Sequence, residues 1–243
     1  VGVVVDWLKG IPETGRDGPY VGYGHNVWSE GTEAPGNIFV RGANRWRDER
    51  EWPLARTQNT PLYLTGKGHA NSLNGDGALE WKPPKKDKAD HFLYDPKKPV
   101  PTVGGAVCCN PKIFPWGPMD QRSVERRSDV LVYTTKPLKK PLEVTGPVRV
   151  MLYAATSMPD TDFTAKLVDV FPSGEARNLT DGLTRLRYRA GLQKPGLGRT
   201  RATQPNQSEY GVTSNGFLSS HRARLCGASS TGPCATPNIA ASV

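Results

Sequence analysis

The side chains able to carry acid–base, nucleophilic or metal chemistry are few and scattered. His25, His69, His91 and His221 stand singly, and no pair has the spacing that puts two imidazoles on one helix face for a metal. A serine held on a strained strand-to-helix turn needs the pattern G-x-S-x-G. The nearest string, Gly227-Ala228-Ser229-Ser230-Thr231, lacks the closing glycine and any strand–turn–helix context. The sequence has no phosphate-cradling glycine loop, dinucleotide fingerprint or H-E-x-x-H pair. His25, in Val21-Gly22-Tyr23-Gly24-His25, sits in a loop after a possible strand, where a catalytic base is often found; an ordinary loop histidine is the competing reading. Asp160, Asp162 and Asp169 offer the carboxylates that calcium takes. The run Asp160-Thr161-Asp162 ahead of a strand fits better a turn whose side chains cap their own backbone. Trp46, Trp52 and Trp81, with Tyr63, could wall an apolar pocket or fill a joint between substructures. Adjacent Cys108 and Cys109 lack the C-x2-C spacing of zinc sites, and with Cys226 and Cys234 they leave three disulfide pairings open.

The elements that must position these residues are mostly strands. The chain has 243 residues, 36% of them hydrophobic, enough for one large domain or two small ones with a real core. Its 26 glycines and 22 prolines are many for a helical bundle and point to turns. No run approaches the roughly 18 apolar residues that cross a bilayer as a helix, so no membrane span is expected. Val1 to Val5 lack the charged flank and cleavage site of a signal peptide, and the compartment, cytoplasmic or secreted, stays open. Val1 to Ile11 reads as a helix end stopped at Gly10. Asn37 to Gly42 and Leu62 to Leu64 read as short strands, Ser72 to Gly77 as a turn-rich link and Lys82 to Lys88 as a Lys-Pro loop.

The strongest β signal runs from Asp129 to about Arg189. Asp129 to Thr134 is a compact strand. Val148, Val150, Leu152 and Ala154 alternate with Arg149, Met151 and Tyr153, with Gly146-Pro147 expected to break that run in two. In Phe163 to Phe171, Ala165, Leu167 and Asp169 point one way and Lys166, Val168 and Val170 the other. Pro172 to Glu175 is a hairpin turn leading into a returning strand at Ala176. Such strands without intervening amphipathic helices predict a mainly β fold, an antiparallel β-sandwich. Past Leu192 the pattern degrades: Lys194 to Ser208 has almost no apolar periodicity, and Gly227 to Val243 is small residues. The formal charge of +9 concentrates from Arg185 onward, where eight basic residues meet one acid, Glu209. Few aromatics interleave with them, so a solvated, partly disordered end is expected and no nucleic-acid partner.

Several strings, in sequence order, resemble the CocE/NonD family of hydrolases, relatives of X-Pro dipeptidyl-peptidases. They are Phe39-Val40-Arg41-Gly42-Ala43-Asn44-Arg45-Trp46-Arg47 through Trp52-Pro53-Leu54, Tyr94-Asp95-Pro96 with Pro99 to Gly105, Asp120-Gln121-Arg122, Glu143-Val144-Thr145-Gly146-Pro147, Asp160 to Val170, Asn178-Leu179-Thr180-Asp181-Gly182 and Arg187-Tyr188-Arg189. The similarity covers about residues 37 to 190 and falls on the family's C-terminal jelly-roll, a galactose-binding-like β-sandwich. In that family the jelly-roll packs on an α/β-hydrolase domain bearing a Ser-Asp-His triad. Asp6-Trp7-Leu8-Lys9-Gly10 looks like the helix after the family's catalytic histidine. The resemblance therefore implies that the triad lies upstream of Val1, that this chain alone is inactive, and that His25 is misplaced for the catalytic role. It further implies no cofactor, an α/β-hydrolase domain of the same parent chain as partner, a small acyl ester or peptide as substrate, and Trp46, Trp52 and Trp81 as candidate walls of the substrate pocket. The implied organisation is a remnant and linker at 1–36, the β-sandwich at 37–230 and an irregular tail at 231–243. The alternative, from a different functional class, is a free-standing β-sandwich module that binds carbohydrate or protein.

Overall fold

The alternation of residues 162 to 170 dictates a strand buried on both faces, and the sandwich is built around it. The computed structural model describes residues 36–51, 54–86, 88–105, 112, 115–199, 204–229, 234–236 and 239–242. In chain order the described strands are β1 (Gly36–Val40), β2 (Arg45–Glu49), β3 (Pro61–Thr65), β4 (Ala78–Glu80), β5 (Asp90–Phe92), β6 (Leu131–Thr134), β7 (Leu142–Thr156), β8 (Asp162–Val170), β9 (Ala176–Arg185), β10 (Gln204–Phe217), β11 (Arg222–Ser229), β12 (Cys234–Thr236) and β13 (Ile239–Ser242). A four-residue helix, α1 (Arg122–Glu125), precedes β6. The expected helix at Val1 to Ile11 and the cysteine pair Cys108-Cys109 lie outside the described residues.

Phe163 and Ala165 of β8 face Leu62, Leu64, Leu79, Tyr133 and Val150 in the main core, and Leu167 on the same face meets Val144, Val148 and Phe217. The opposite face carries Val168 and Val170 against Val130, Val132 and Val124 of the segment around α1. Hydrogen-bonded neighbours follow the order β5-β12-β7-β13-β3-β4-β6-β11-β8-β9, with β10 on β7 and the β1–β2 hairpin separate. The path turns at β4, whose parallel contact with β6 is Ala78 beside Thr134. It thereby lays the half containing β7 and β3 over the half containing β11 and β8, with the main core between them. This is the expected jelly-roll sandwich.

Three stretches differ from the sequence expectation, each for a backbone reason. Gly146-Pro147 does not split β7, which runs unbroken for 15 residues. Gly146 adopts φ +145, and the partner strand β10 inserts an extra residue between Glu209 and Val212, so a bulge absorbs the missing proline N–H. Residues 204 to 217, with little apolar periodicity, form the long strand β10 because β7 offers them a full antiparallel ladder. Residues 231–243, expected as an irregular tail, contain β12, paired with β5 and β7, and β13, paired with β3 and β7. The arginines of the basic end are likewise engaged: Arg185 pairs with Asp162, Arg187 with Asp160, and Arg224 with buried Glu125.

The β1–β2 hairpin is fastened to the sandwich at its turn. The Gly216 N–H donates to the Arg41 carbonyl at 2.6 Å. Gly42, at φ +79, leaves no room for a side chain, since a Cβ there would lie 2.1 Å from the Gly216 carbonyl oxygen. Gly42→Ala combines a left-handed backbone with a backbone clash, and we expect it to cost about 1–3 kcal/mol of stability. Urea denaturation of the two proteins measures this, and an unchanged midpoint would contradict the close approach.

Candidate functional site

Charged residues at the hairpin and at the start of β7 build an open concavity. Glu49, at the end of β2, is only 5% exposed, so its charge must be met within the protein. Arg47 and Arg56 both donate to it, Arg56 Nη1 reaching Oε2 at 2.8 Å. Arg47 also forks onto Glu143 of β7, with Nη1 to Oε2 at 2.9 Å and Nη2 to Oε1 at 2.8 Å, and the Thr145 hydroxyl donates to the same carboxylate at 2.9 Å. The Arg56 guanidinium holds the Glu49 carboxyl below the usual range against the opposing effect of burial, helped by Arg47. Arg47 does the same for Glu143. Thr57 completes the tie, donating from its hydroxyl to the Thr145 carbonyl at 3.1 Å.

Between these tied elements lies an open cleft of about 370 Å³. Leu54, Arg56 and Thr57 form one wall, Leu142 to Pro147 the other, and Trp81 closes one side. Trp81 is 45% exposed, so an apolar ring edges a polar, ion-paired floor. Of the three tryptophans singled out in the sequence, Trp81 lines this cleft. Trp46 does not: it sits on β2 against Phe39, ring centroids 5.3 Å apart, with its indole N–H buried and unbonded. Trp52 and His25 lie outside the described residues.

The other chemically suggestive groups are structural. Asp160, Asp162 and Asp169 do not converge on a cation site. Arg187 donates to Asp160 from its backbone N–H at 3.0 Å and from Nε at 2.5 Å, and Arg185 forks onto Asp162 at 2.6 and 2.9 Å. Both carboxylates are thus taken up by arginines at the end of β9 and just beyond it. Asp169 lies 2.8 Å from His221 Nδ1, and the imidazole packs on Phe171. This carboxyl is pushed up by burial, opposed by His221. Both partners are under a tenth exposed, which leaves a bound molecule no route to the ring. Glu125 of α1, fully buried, accepts from Arg224 Nη1 at 2.6 Å and from the Cys226 thiol at 3.1 Å. Burial, reinforced by Glu125, pushes that thiol well up and keeps it unreactive. No cluster of three or more metal-ligating side chains occurs among the described residues.

Sequence reading missed Glu49, Arg56 and Glu143, because charges 7 to 96 residues apart carry no local signal that they will meet. The charge-rich run Arg45 to Glu51 was the one available hint.

The described residues form a jelly-roll sandwich with an ion-paired cleft at one end. Residues 26–210 match the model of the X-Pro dipeptidyl-peptidase C-terminal non-catalytic domain, and the chain belongs to that family. It is 45% identical over 196 residues to the cocaine esterase of Rhodococcus sp. strain MB1 Bresler, covering 81% of this chain and 34% of that protein. Among solved structures it is similar to an aminopeptidase from a marine sediment Thaumarchaeota archaeon, with a TM-score of 0.71 at 23% identity, covering 85% of this chain and 40% of the other. It is also similar to an α-amino acid ester hydrolase, with a TM-score of 0.70 at 24% identity over 90% and 40% of the two chains. The chain thus spans about a third of the length of the curated relative.

The carboxylates held low by arginines contribute stability above their unfolded pKa of about 4.3, and that contribution is lost as pH falls through their depressed folded values. Glu49→Gln should cost about 1–3 kcal/mol at pH 7. The gap to the parent protein should then narrow as the pH drops below about 4. Chemical denaturation across that range tests both signs, and a pH-independent gap would refute the assignment.

Proposed function

We infer that this chain is the C-terminal β-sandwich portion of a serine hydrolase of the X-Pro dipeptidyl-peptidase/CocE type, with its nucleophile in another part of the parent protein. The observation that carries the reading is a mismatch of lengths. The chain matches a non-catalytic domain over most of its residues while spanning only about a third of a relative named as an esterase. The domain begins near residue 37 in this reading, after a linker from the α/β-hydrolase domain. The substrate is a small acyl ester or a peptide; the names of the esterase, the aminopeptidase and the amino acid ester hydrolase span both classes. The reaction is acyl transfer to serine, with a histidine moving the proton and an oxyanion hole holding the developing charge.

In that assembly this chain supplies a rigid wall. The cleft residues are locked by Glu49 and Glu143, so Trp81 is presented on a surface that does not have to be ordered when substrate arrives. In this reading Trp81 lines the substrate pocket, while Trp46 faces Phe39 and takes no part in it.

The isolated chain should not hydrolyse p-nitrophenyl acetate above background, and covalent labelling of this chain by a serine-directed fluorophosphonate would overturn the reading. In the parent protein Trp81→Ala should raise KM several-fold while moving kcat less, as loss of uniform binding does. Unchanged steady-state constants would remove Trp81 from the pocket.

A further inference from the structure

Because β4 and β6 run parallel, with Ala78 beside Thr134, the loops that follow them leave the sandwich at the same end. The first reads Trp81-Lys82-Pro83-Pro84-Lys85-Lys86-Asp87-Lys88 and the second Lys136-Pro137-Leu138-Lys139-Lys140-Pro141. Both contain Lys-Pro-x-Lys-Lys. Their roots are joined by Lys136, whose Nζ lies 3.6 Å from the Glu80 carboxylate. The second loop is pinned at its middle. Leu138 packs against the cluster of Val144 and Phe217, its N–H donates to the His221 carbonyl and its own carbonyl accepts from Ser220, both at 2.8 Å. Lys139 and Lys140 are therefore held outward from an anchored backbone.

All seven lysines of the two loops are exposed, against one acid in the same stretches, Asp87, and Glu80 at their root. Lys82, Lys85, Lys86, Lys139 and Lys140 have no ion-pair partner among the described residues. This contrasts with the arginines at 185, 187 and 224, each of which is taken up by an acid within the fold. An uncompensated cluster of this kind repels itself, and prolines that stiffen both loops keep the charges from dispersing. Trp81 stands at the base of the first loop with its ring half out of the protein.

We propose that this end of the sandwich is a contact surface for a membrane rich in anionic phospholipid headgroups. The lysines supply the attraction. The composition selects this partner. Lysine is a compact point charge suited to a diffuse anionic surface. Nucleic acid is held instead by arginine forks and rows of stacking aromatics. Neither loop contains an arginine, and they carry one tryptophan between them.

The 243-residue chain is sedimented with vesicles of neutral phosphatidylcholine and with vesicles containing about 30% phosphatidylserine, at low and high salt. It should pellet with the anionic vesicles at least about tenfold better, and lose most of that advantage as salt shortens the Debye length to a few ångströms. The variants K82E/K85E/K86E and K139E/K140E should each abolish the preference while keeping the parent's thermal melt. K97E/K98E, beyond the far end of β5, should leave it intact. Equal binding to neutral vesicles, or retention by both loop variants, would overturn the proposal. Displacement from the vesicles by a single-stranded oligonucleotide at equal phosphate would also overturn it, in favour of nucleic acid.

Discussion

The antiparallel ladder between β7 and β10 sets what the remaining strands can do. β7 extends over 15 residues and is paired along almost its whole length on one edge by β10, while its other edge takes β12 and β13. A strand satisfied on both sides cannot slip by one residue without turning Val148, Val150 and Ala154 out of the core and Arg149 into it. The same ladder places Glu143 and Thr145 at the hairpin end of β7, where Arg47 and Thr57 reach them. The cleft thus inherits its geometry from sheet register. Its arginines and carboxylates then fix the neighbouring loop to that register.

Much of this architecture was legible in the sequence wherever burial imposes a pattern. β6 and β8, with their valines, were readable because each alternate residue must face a core. The turn before β9 was readable from Pro172 to Glu175, where Gly174 adopts φ +87. The strands that escaped notice are those whose pairing is decided elsewhere. Gln204 to Phe217 contains mostly polar residues, and Ile239 to Ser242 is small ones, yet both lie beside β7, whose backbone donors and acceptors would otherwise go unmet.

The site was legible to a lesser degree. Trp81 was one of the aromatics that could wall a pocket or fill a joint, and the structure puts it at the cleft. Trp46 has the same composition around it but faces Phe39, because strand alternation in β2 sends Arg47 toward Glu143 and its neighbour the other way. The three aspartates show the opposite failing. The run in sequence pointed to a local turn ahead of a cation site, whereas each carboxylate meets a basic partner on another segment. Side-chain pairing across long chain separations is a property of the finished fold, so local spacing has no means of reporting it.

The position of β12 and β13 bears on how the molecule is made. Of the described strands these come last in sequence, yet they sit inside the sheet, between β5 and β7 and between β3 and β7. The earlier strands must wait, with apolar faces and ladder groups uncovered, until residues 234 to 242 arrive to knit them together. Such an arrangement makes for slow closure and a nascent chain exposed to misassociation during biosynthesis.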